Sequence, residues 1–307
     1  MNIMEEWKMV SNQNEQNENE VLQQNLEEES VKPGMLFIIH LLFDNKCEMP
    51  DREFMLETMK KHMGDVECFS YDKHSAGFAP GKYFAHFEKT DINPQLMVTE
   101  CLEIEKPVMN ELEMSQLWDC KDGKQILDDC KYQVIAMDML AGAMDYKERA
   151  DMLVEYIEAL VEMFPECRAV VCENSKKMFS RDAILSCNMP KNQKFINYAV
   201  NVRFFNIQGT GDMLIDSVGM STLWLPDVQY HFRGLDPDDV SVHAYNVLTY
   251  MFDNNCPIES GDHIDGLEDG EMSINVQWNV QYEDALIQPP RMVLDINTGE
   301  YAAGQRK

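Results

Sequence analysis

The sequence predicts an α+β protein built mainly from antiparallel sheets, with helices on one face. A strand–loop–helix unit occurs three times, with strands over residues 35–43, 132–140 and 228–232. Each strand precedes a segment whose apolar residues recur at helical spacing, and further strand candidates lie between the units. Helices and strands mixed with hairpins favour the α+β class, and a tandem ferredoxin-like arrangement fits the repeated units.

The first unit joins its strand to a helix bounded by Pro50 and Gly64. Proline is tolerated at a helix N-terminus because its missing N–H has no partner there, and glycine is favoured just after the last turn. A strand over 66–71 follows. The sequence therefore predicts a helix packed between two strands.

The second unit carries a helix start at Asp145, with Glu148 three residues later as in a capping box. Pro165 ends this helix, and residues 169–172 return as a strand. In the third unit Asp236 is the predicted N-cap and Pro237 the first helical residue.

The apolar residues of the third helix recur at helical spacing and predict one buried face. This face consists of Val240, Ala244, Val247, Leu248 and Met251. The remaining elements predicted are strands over 83–88, 96–99, 198–207, 213–217 and 272–282, and a short helix over 123–130. In the last of these strands Ile274, Val276, Trp278 and Val280 alternate with polar residues, as in a half-buried strand.

The charge of the chain limits its partners. The 307 residues include 54 Asp and Glu but only 26 Lys and Arg, a formal net charge of −28. So acidic a chain repels nucleic acids and anionic membrane surfaces, which are therefore not expected as partners. A basic protein is the expected partner.

Composition divides the chain into three predicted regions. Residues 1–33 are rich in Asn, Gln and Glu and are predicted to form a disordered tail, because they bury little apolar surface. Residues 34–190 and 191–307 are predicted to form two α+β subdomains.

Cysteine usage and hydropathy predict a cytoplasmic protein. The nine Cys contain no CxxC pair and are expected to be free thiols. No apolar stretch approaches the roughly 20 residues of a membrane helix. The acidic N-terminus does not have the character of a signal peptide.

No catalytic motif is found, and no catalytic residue or cofactor is predicted. The chain lacks GxxxxGK[ST], HExxH and GxSxG. The Gly209-Thr210-Gly211 stretch is interpreted as a hairpin turn, because it lacks the third glycine of a dinucleotide-binding loop.

The acidic loop over residues 259–271 is the weak candidate for a metal site. Asp262, His263 and Asp265 could supply ligands to a divalent cation. The EF-hand order fails because Ile264 stands at its third position. A solvated acidic loop is the favoured interpretation. His231 and His263 bracket the third helix and could lie near one another, although structural histidines are favoured.

A recognisable set of residues lies between positions 213 and 266. The set includes Gly219, Pro226, Asp227, His231, Asp236, Pro237, Tyr250, Gly261 and Asp262. It resembles the bacterial family catalogued as domain of unknown function 4261 (DUF4261), over about Pro33 to Gly266. The family usually shows Gly where Trp224 stands and Thr where His263 stands. The resemblance implies the fold and the cytoplasmic setting, and an immunity-like binding role.

The absent catalytic constellation and the acidic charge together favour a non-catalytic, protein-binding module. The alternative is a hydrolase-like enzyme or divalent-metal binder centred on His231, Asp262 and Asp265. An enzyme requires these side chains to converge in one concave site, whereas a binding module requires an exposed acidic face.

Overall fold

The computed structural model describes residues 8–10, 21–23 and 36–304. In chain order the strands are β1 (Lys8–Val10), β2 (Val21–Gln23), β3 (Ile38–Phe43), β4 (Val66–Tyr71), β5 (Ser75–Pro80), β6 (Ala85–Phe87), β7 (Thr90–Ile92), β8 (Gln95–Thr99), β9 (Leu102–Glu103), β10 (Tyr132–Met139), β11 (Ala169–Cys172), β12 (Lys177–Ser180), β13 (Asn201–Ile207), β14 (Met213–Val218), β15 (Asp227–Phe232), β16 (His263–Glu268), β17 (Glu271–Asp284) and β18 (Met292–Asn297). The helices are α1 (Arg52–Met63), α2 (Glu111–Met114), α3 (Gly123–Asp129), α4 (Tyr146–Met163), α5 (Arg181–Leu185), α6 (Lys191–Ala199) and α7 (Pro237–Asp253).

The strands form two large sheets and one small hairpin. The first sheet has the order β16-β17-β18-β15-β14-β13-β1-β2, and the second has the order β12-β11-β3-β10-β8-β5-β4, with β9 also paired to β10. Strands β6 and β7 pair with each other. Every neighbouring pair is antiparallel except β15 with β18, which is parallel. The predicted α+β class with mainly antiparallel sheets is confirmed.

The long helices pack on one side of these sheets and share one apolar core. Helix α1 packs against α4, α4 against α6, and α6 against α7. One buried cluster contains side chains from all four helices and from both large sheets. A smaller cluster lies on the opposite face of the second sheet, where Ile126 of α3 joins Leu42 and Val171.

The local signals at the three predicted helices operate as expected. Helix α1 begins two residues after Pro50, later than predicted; Asp51 caps it by accepting a hydrogen bond from the Phe54 amide, and Gly64 ends it with φ 81°. Asp145 caps α4. Asp236 caps α7, Pro237 opens it, and all five residues of its predicted inner face are buried.

Several elements differ from the predicted ones. The predicted strand over 198–207 is the end of α6 followed by β13, because Phe195, Ile196 and Tyr198 form the buried face of a helix that continues to Ala199. Strands β5, β12, β16 and β18 were not predicted. Of these, β18 pairs with β15 on one side and β17 on the other, an arrangement that no local pattern encodes.

The predicted tail and subdomains stay predictions. Strands β1 and β2 lie within the predicted tail, and the rest of it lies outside the described residues. Within the described part of the chain, none of the helices has the length and apolar character needed to cross a bilayer. The nine cysteines all lie in that part and form no disulfide there.

Candidate interaction surface

Two residues of the family-like set, Gly219 and Asp227, hold the connection between β14 and β15. The Asp227 carboxylate accepts a hydrogen bond from the Ser217 hydroxyl at 2.8 Å and another from the Met220 amide at 3.2 Å. Gly219 has φ 139°, and a Cβ atom there would lie 2.2 Å from the carbonyl oxygen of Ala199. Only glycine fits this close backbone approach.

Trp224 adopts a backbone conformation that favours glycine, with φ 60° and ψ 20°. This agrees with the glycine that the resemblance implies at this position. The exposed indole donates a hydrogen bond from Nε1 to the Gly142 carbonyl at 2.9 Å. The left-handed turn therefore places Trp224 against the loop that follows β10.

A row of polar side chains crosses five strands of the first sheet. Arg203 lies opposite Asp216, Asp216 opposite Gln229, Gln229 opposite Asp295, and Asp295 opposite Gln281. Side chains alternate along each strand, so all five lie on the face opposite to the one that packs on α7. Asp216 and Gln229 are completely buried, whereas Gln281 is exposed.

Ion pairs neutralise the buried end of this row. The Asp216 carboxylate accepts hydrogen bonds from Arg203 Nε at 2.8 Å and from Arg291 Nη2 at 2.7 Å. Arg291 Nε also lies 3.3 Å from Asp227 Oδ2. Burial raises the pKa of Asp227, and the Arg291 guanidinium opposes that rise. Buried charges need such partners, so this cluster is structural.

The segment between β17 and β18 closes the polar row. The Leu286 amide donates to the side-chain oxygen of Gln229 at 2.8 Å, and Arg203 Nη1 donates to the Gln288 carbonyl at 2.9 Å. Arg291 donates to two further carbonyls of this segment. Hydrogen bonds from the polar row therefore hold the segment between β17 and β18 against the sheet.

His231 is not brought together with the acidic loop. It is buried on β15, with Nε2 3.6 Å from Asp212 Oδ2. His263 lies on β16, and strands β17 and β18 separate it from β15. Three strand spacings correspond to about 14 Å. The enzyme or metal site centred on His231, Asp262 and Asp265 is therefore not assembled.

Two of the three metal-ligand candidates accept hydrogen bonds from other residues, and the third is exposed. Asp262 Oδ2 accepts a hydrogen bond from the Glu259 amide at 2.8 Å, as expected for a turn, and Asp265 Oδ1 accepts one from Gln277 Nε2 at 2.8 Å. His263 is exposed. Nowhere in the described ranges do three or more His, Cys, Asp or Glu side chains form a group that could hold a metal ion.

The other family-like residues shape the backbone or lie at the surface. Pro226 precedes β15, Asp236 and Pro237 open α7, and Gly261 has φ 95° in the turn before β16. Tyr250 lies on α7 and exposes about half of its surface.

A buried histidine that the sequence did not single out as a site links three elements. His243 of α7 lies 2.8 Å from the Tyr230 hydroxyl through Nδ1 and 2.8 Å from the Asp265 carbonyl through Nε2. Its ring lies 4.8 Å from that of Trp278. A carbonyl only accepts, so Nε2 carries the proton and Nδ1 accepts from Tyr230. Burial lowers the pKa of His243. Its position between Val240 and Val247 at helical spacing is the signal that could have identified it.

The acidic character is concentrated from α7 to the segment after β17. Residues 234–290 contain twelve Asp and Glu and no Lys or Arg. Most of these carboxylates are exposed. A surface of one sign attracts an oppositely charged partner over a distance of about 8–10 Å at physiological salt.

The tip of the β16–β17 hairpin lies beside α7. Asp269 and Gly270 form a two-residue turn with φ 53° and 82°. A Cβ atom on Gly270 would lie 2.7 Å from the Asp239 carboxylate. Asn246 Nδ2 lies 3.4 Å from Met272 Sδ. We call this region the α7–hairpin surface. It comprises Asp239, Val242, Asn246, Glu268, Asp269, Gly270, Glu271, Met272 and Ile274.

A bulge displaces Ile274 from the sheet. The register moves from Asp265 opposite Gln277 to Gly266 opposite Ser273, so residues 274–276 have no partners on β16. Ile274 is 78% exposed. The predicted alternation over 272–282 therefore fails to bury Ile274, although Trp278 and Val280 are buried.

Residues 216–297 match the family described as Domain of unknown function (DUF4261). The predicted resemblance is confirmed over this segment. The match overlaps the predicted range over residues 216–266 and extends beyond it to β18. None of the curated proteins and none of the solved structures matches the chain.

The DUF4261 segment contains four of the five residues of the polar row, all except Arg203. It includes the end of β14 and the whole of β15, β16, β17 and β18. It also contains the whole α7–hairpin surface. The family description names no activity. The geometry of the segment is therefore the basis for a functional proposal.

Proposed function

We propose that the DUF4261 segment is a protein-binding module whose partner is a basic protein. The observation that carries this proposal is the run of twelve carboxylates without one Lys or Arg over residues 234–290. A surface rich in exposed carboxylates attracts cationic partners, accelerates their association and disfavours acidic partners. We place this function in the cytoplasm, where the nine thiols would stay reduced.

Charge and geometry both support binding over catalysis. The buried carboxylates near Arg203 and Arg291 are neutralised internally, so the exposed carboxylates dominate what a partner meets. In the alternative enzyme site, His231 lies on β15, and strands β17 and β18 separate it from Asp265 on β16. An immunity-like role, in which the acidic module covers a basic toxic protein, is one form of this proposal.

Capture followed by measurement with purified components tests the proposal. The immobilised full chain should retain a basic protein from a lysate of its host. The purified pair should lose affinity at least tenfold between about 50 and 500 mM salt, because exposed charges are screened. A partner that is neutral or acidic and binds independently of salt would contradict it. Tight binding of DNA or RNA at about 150 mM salt would also contradict it.

A further inference from the structure

Three apolar side chains are exposed in the most acidic part of the molecule. Ile274 is 78% exposed, Val242 61% and Met272 44%. Single exposed apolar residues are ordinary, but neighbouring ones mark interaction sites when polar residues surround them. Their arrangement therefore decides whether they form a surface.

Contacts between α7 and the hairpin place Val242 in the same region of the surface as Met272 and Ile274. Asp239, Val242 and Asn246 follow one another at spacings of three and four, so they share one face of α7. Asp239 touches the turn at Gly270, and Asn246 touches Met272. Val242 lies between these two contacts, and Ile274 follows Met272 by two residues on β17.

Hydrogen bonds maintain the bulge that presents Ile274. The Glu268 carboxylate accepts from the Ser273 hydroxyl at 2.7 Å and from Asn275 Nδ2 at 3.1 Å. Gln277 Nε2 donates to the Ile274 carbonyl at 3.1 Å. Bulges often re-aim side chains at functional edges. The outward position of Ile274 is thus built into the hairpin.

The charged side chains of the α7–hairpin surface are all anionic. They are Asp239, Glu268, Asp269 and Glu271, and the nearest Lys or Arg in sequence are Arg233 and Arg291. An apolar centre with a charged rim is the usual anatomy of a protein interface. Charge complementarity requires the occupant to supply cations around an apolar contact.

We propose that the α7–hairpin surface docks a basic amphipathic segment of the partner. Apolar side chains of that segment cover Val242, Met272 and Ile274, while its Lys and Arg side chains pair with the acidic rim. This inference rests on the proposed function and assigns it to one surface. Apolar burial then supplies affinity, and the rim supplies attraction and selectivity.

Methyl labelling of the full chain provides a direct test. The Ile δ1 and Met ε methyl resonances are followed while an 18-residue peptide of Lys and Leu, patterned as an amphipathic helix, is added. The resonances of Ile274 and Met272 should shift first. A Lys/Ser peptide of equal charge should bind at least tenfold more weakly, and a Glu/Leu peptide should not bind.

Matched variants distinguish binding at the α7–hairpin surface from attraction by the overall negative charge. Ile274→Ser and Val242→Ser should each weaken binding of the Lys/Leu peptide about fivefold. Ile92→Ser, at an exposed position in the β6–β7 hairpin, should not change it. Asp269→Asn with Glu271→Gln should weaken binding more than Glu53→Gln with Glu57→Gln on α1. All four positions of these carboxylate pairs are exposed.

The outcomes distinguish the two proposals. Shifts confined to another surface, or unchanged binding by Ile274→Ser and Val242→Ser, would overturn the docking surface and leave the basic-partner function standing. Equal binding of the Lys/Leu and Lys/Ser peptides would overturn the apolar contact. Binding by neither basic peptide would count against the proposed function itself.

Discussion

Strand β15 and the tip of the β16–β17 hairpin belong to the same DUF4261 segment but distribute their side chains in opposite ways. On β15 every residue is buried, including Asp227 and Gln229. At the hairpin tip the apolar Met272 and Ile274 are exposed. The buried polar groups have protein partners, whereas Met272 keeps 44% and Ile274 78% of its surface exposed. The first arrangement stabilises the fold, and the second is suited to a partner.

The largest effect on stability is expected from Arg291→Ala. This change removes the guanidinium that pairs with the buried Asp216 and Asp227, and uncompensated buried charge costs about 3–5 kcal/mol. Urea denaturation measures the loss. Arg168→Ala, which removes an exposed pair with Asp44, should cost less than about 1 kcal/mol. Equal losses in the two variants would show that the buried cluster does not support β15.

A smaller loss is expected from Leu248→Ala in α7. Leu248 is fully buried in the core that α7 shares with the face of β15 opposite the polar row. The lost contacts and the cavity should cost about 2–4 kcal/mol in thermal or urea unfolding. Val242→Ala on the exposed side of the same helix is the control and should stay within about 0.5 kcal/mol. A similar loss at both positions would contradict the assigned faces.

The His243 network should make the stability of the α7–hairpin contact depend on pH. Replacing His243 by Leu leaves the Tyr230 hydroxyl and Asp265 carbonyl without this partner, at a cost of about 1–3 kcal/mol near pH 7. Burial lowers the pKa of His243 below its ordinary 6.5. The unfolded chain therefore binds a proton on His243 more readily than the folded protein, and this residue destabilises the fold as the pH falls below 6.5.

The free energy of unfolding is measured for the wild type and His243→Leu at several pH values between about 7.5 and 5. The difference between the two should narrow as the pH falls, because only the wild type carries this proton linkage. A difference that stays constant or widens on acidification would contradict a neutral, buried His243.

Asp236→Ala should destabilise the protein by about 1 kcal/mol. The carboxylate accepts a hydrogen bond from the Asp238 amide at 2.9 Å and caps α7. Asp238→Ala, two residues later in the first turn of α7, removes no cap and should cost only a few tenths of a kcal/mol. Thermal melting of both variants checks the difference, and an equal shift would mean that charge rather than capping matters here.

The smallest effect on stability is expected from Ile274→Ser. The side chain is largely exposed, so the free energy of unfolding should change by less than about 0.5 kcal/mol. Ile264→Ser, at a half-buried position on the neighbouring strand, is the matched comparison and should cost more. A clear destabilisation by Ile274→Ser would show that Ile274 supports the hairpin itself.

Sequence patterns predicted those elements whose signals lie within a few residues. The caps Asp145 and Asp236, the helix end at Gly64 and the buried spacing of α7 all depend on contacts within one or two turns. Such contacts are formed by residues that are close in the chain, so pattern and propensity suffice to identify them. Short elements such as β12 and α5 give too few residues for a period to be recognised.

The candidate site was predicted less completely. The acidic residues over 259–271 and the family-like set were identified, but the predicted loop contains strand β16, and the roles of these residues could not be assigned. Asp227 is an anchor for a turn, and His231 is distant from His263. Ile274 was expected to be buried on the same face of the strand as Trp278, but the bulge leaves its side chain exposed. A bulge depends on how a strand pairs with the residues of its neighbour. The pattern of apolar residues within one strand does not contain that information.

The sequence by itself determined the fold class, the ends of α4 and α7, the net charge and the cation-free run over residues 234–290. These properties are local or additive along the chain. Only the tertiary structure decided that β18 lies parallel to β15, that a polar row crosses five strands and that α7 lies beside the hairpin tip. These properties arise from residues far apart in sequence, and their relative positions are set by sheet register and by packing around the shared core.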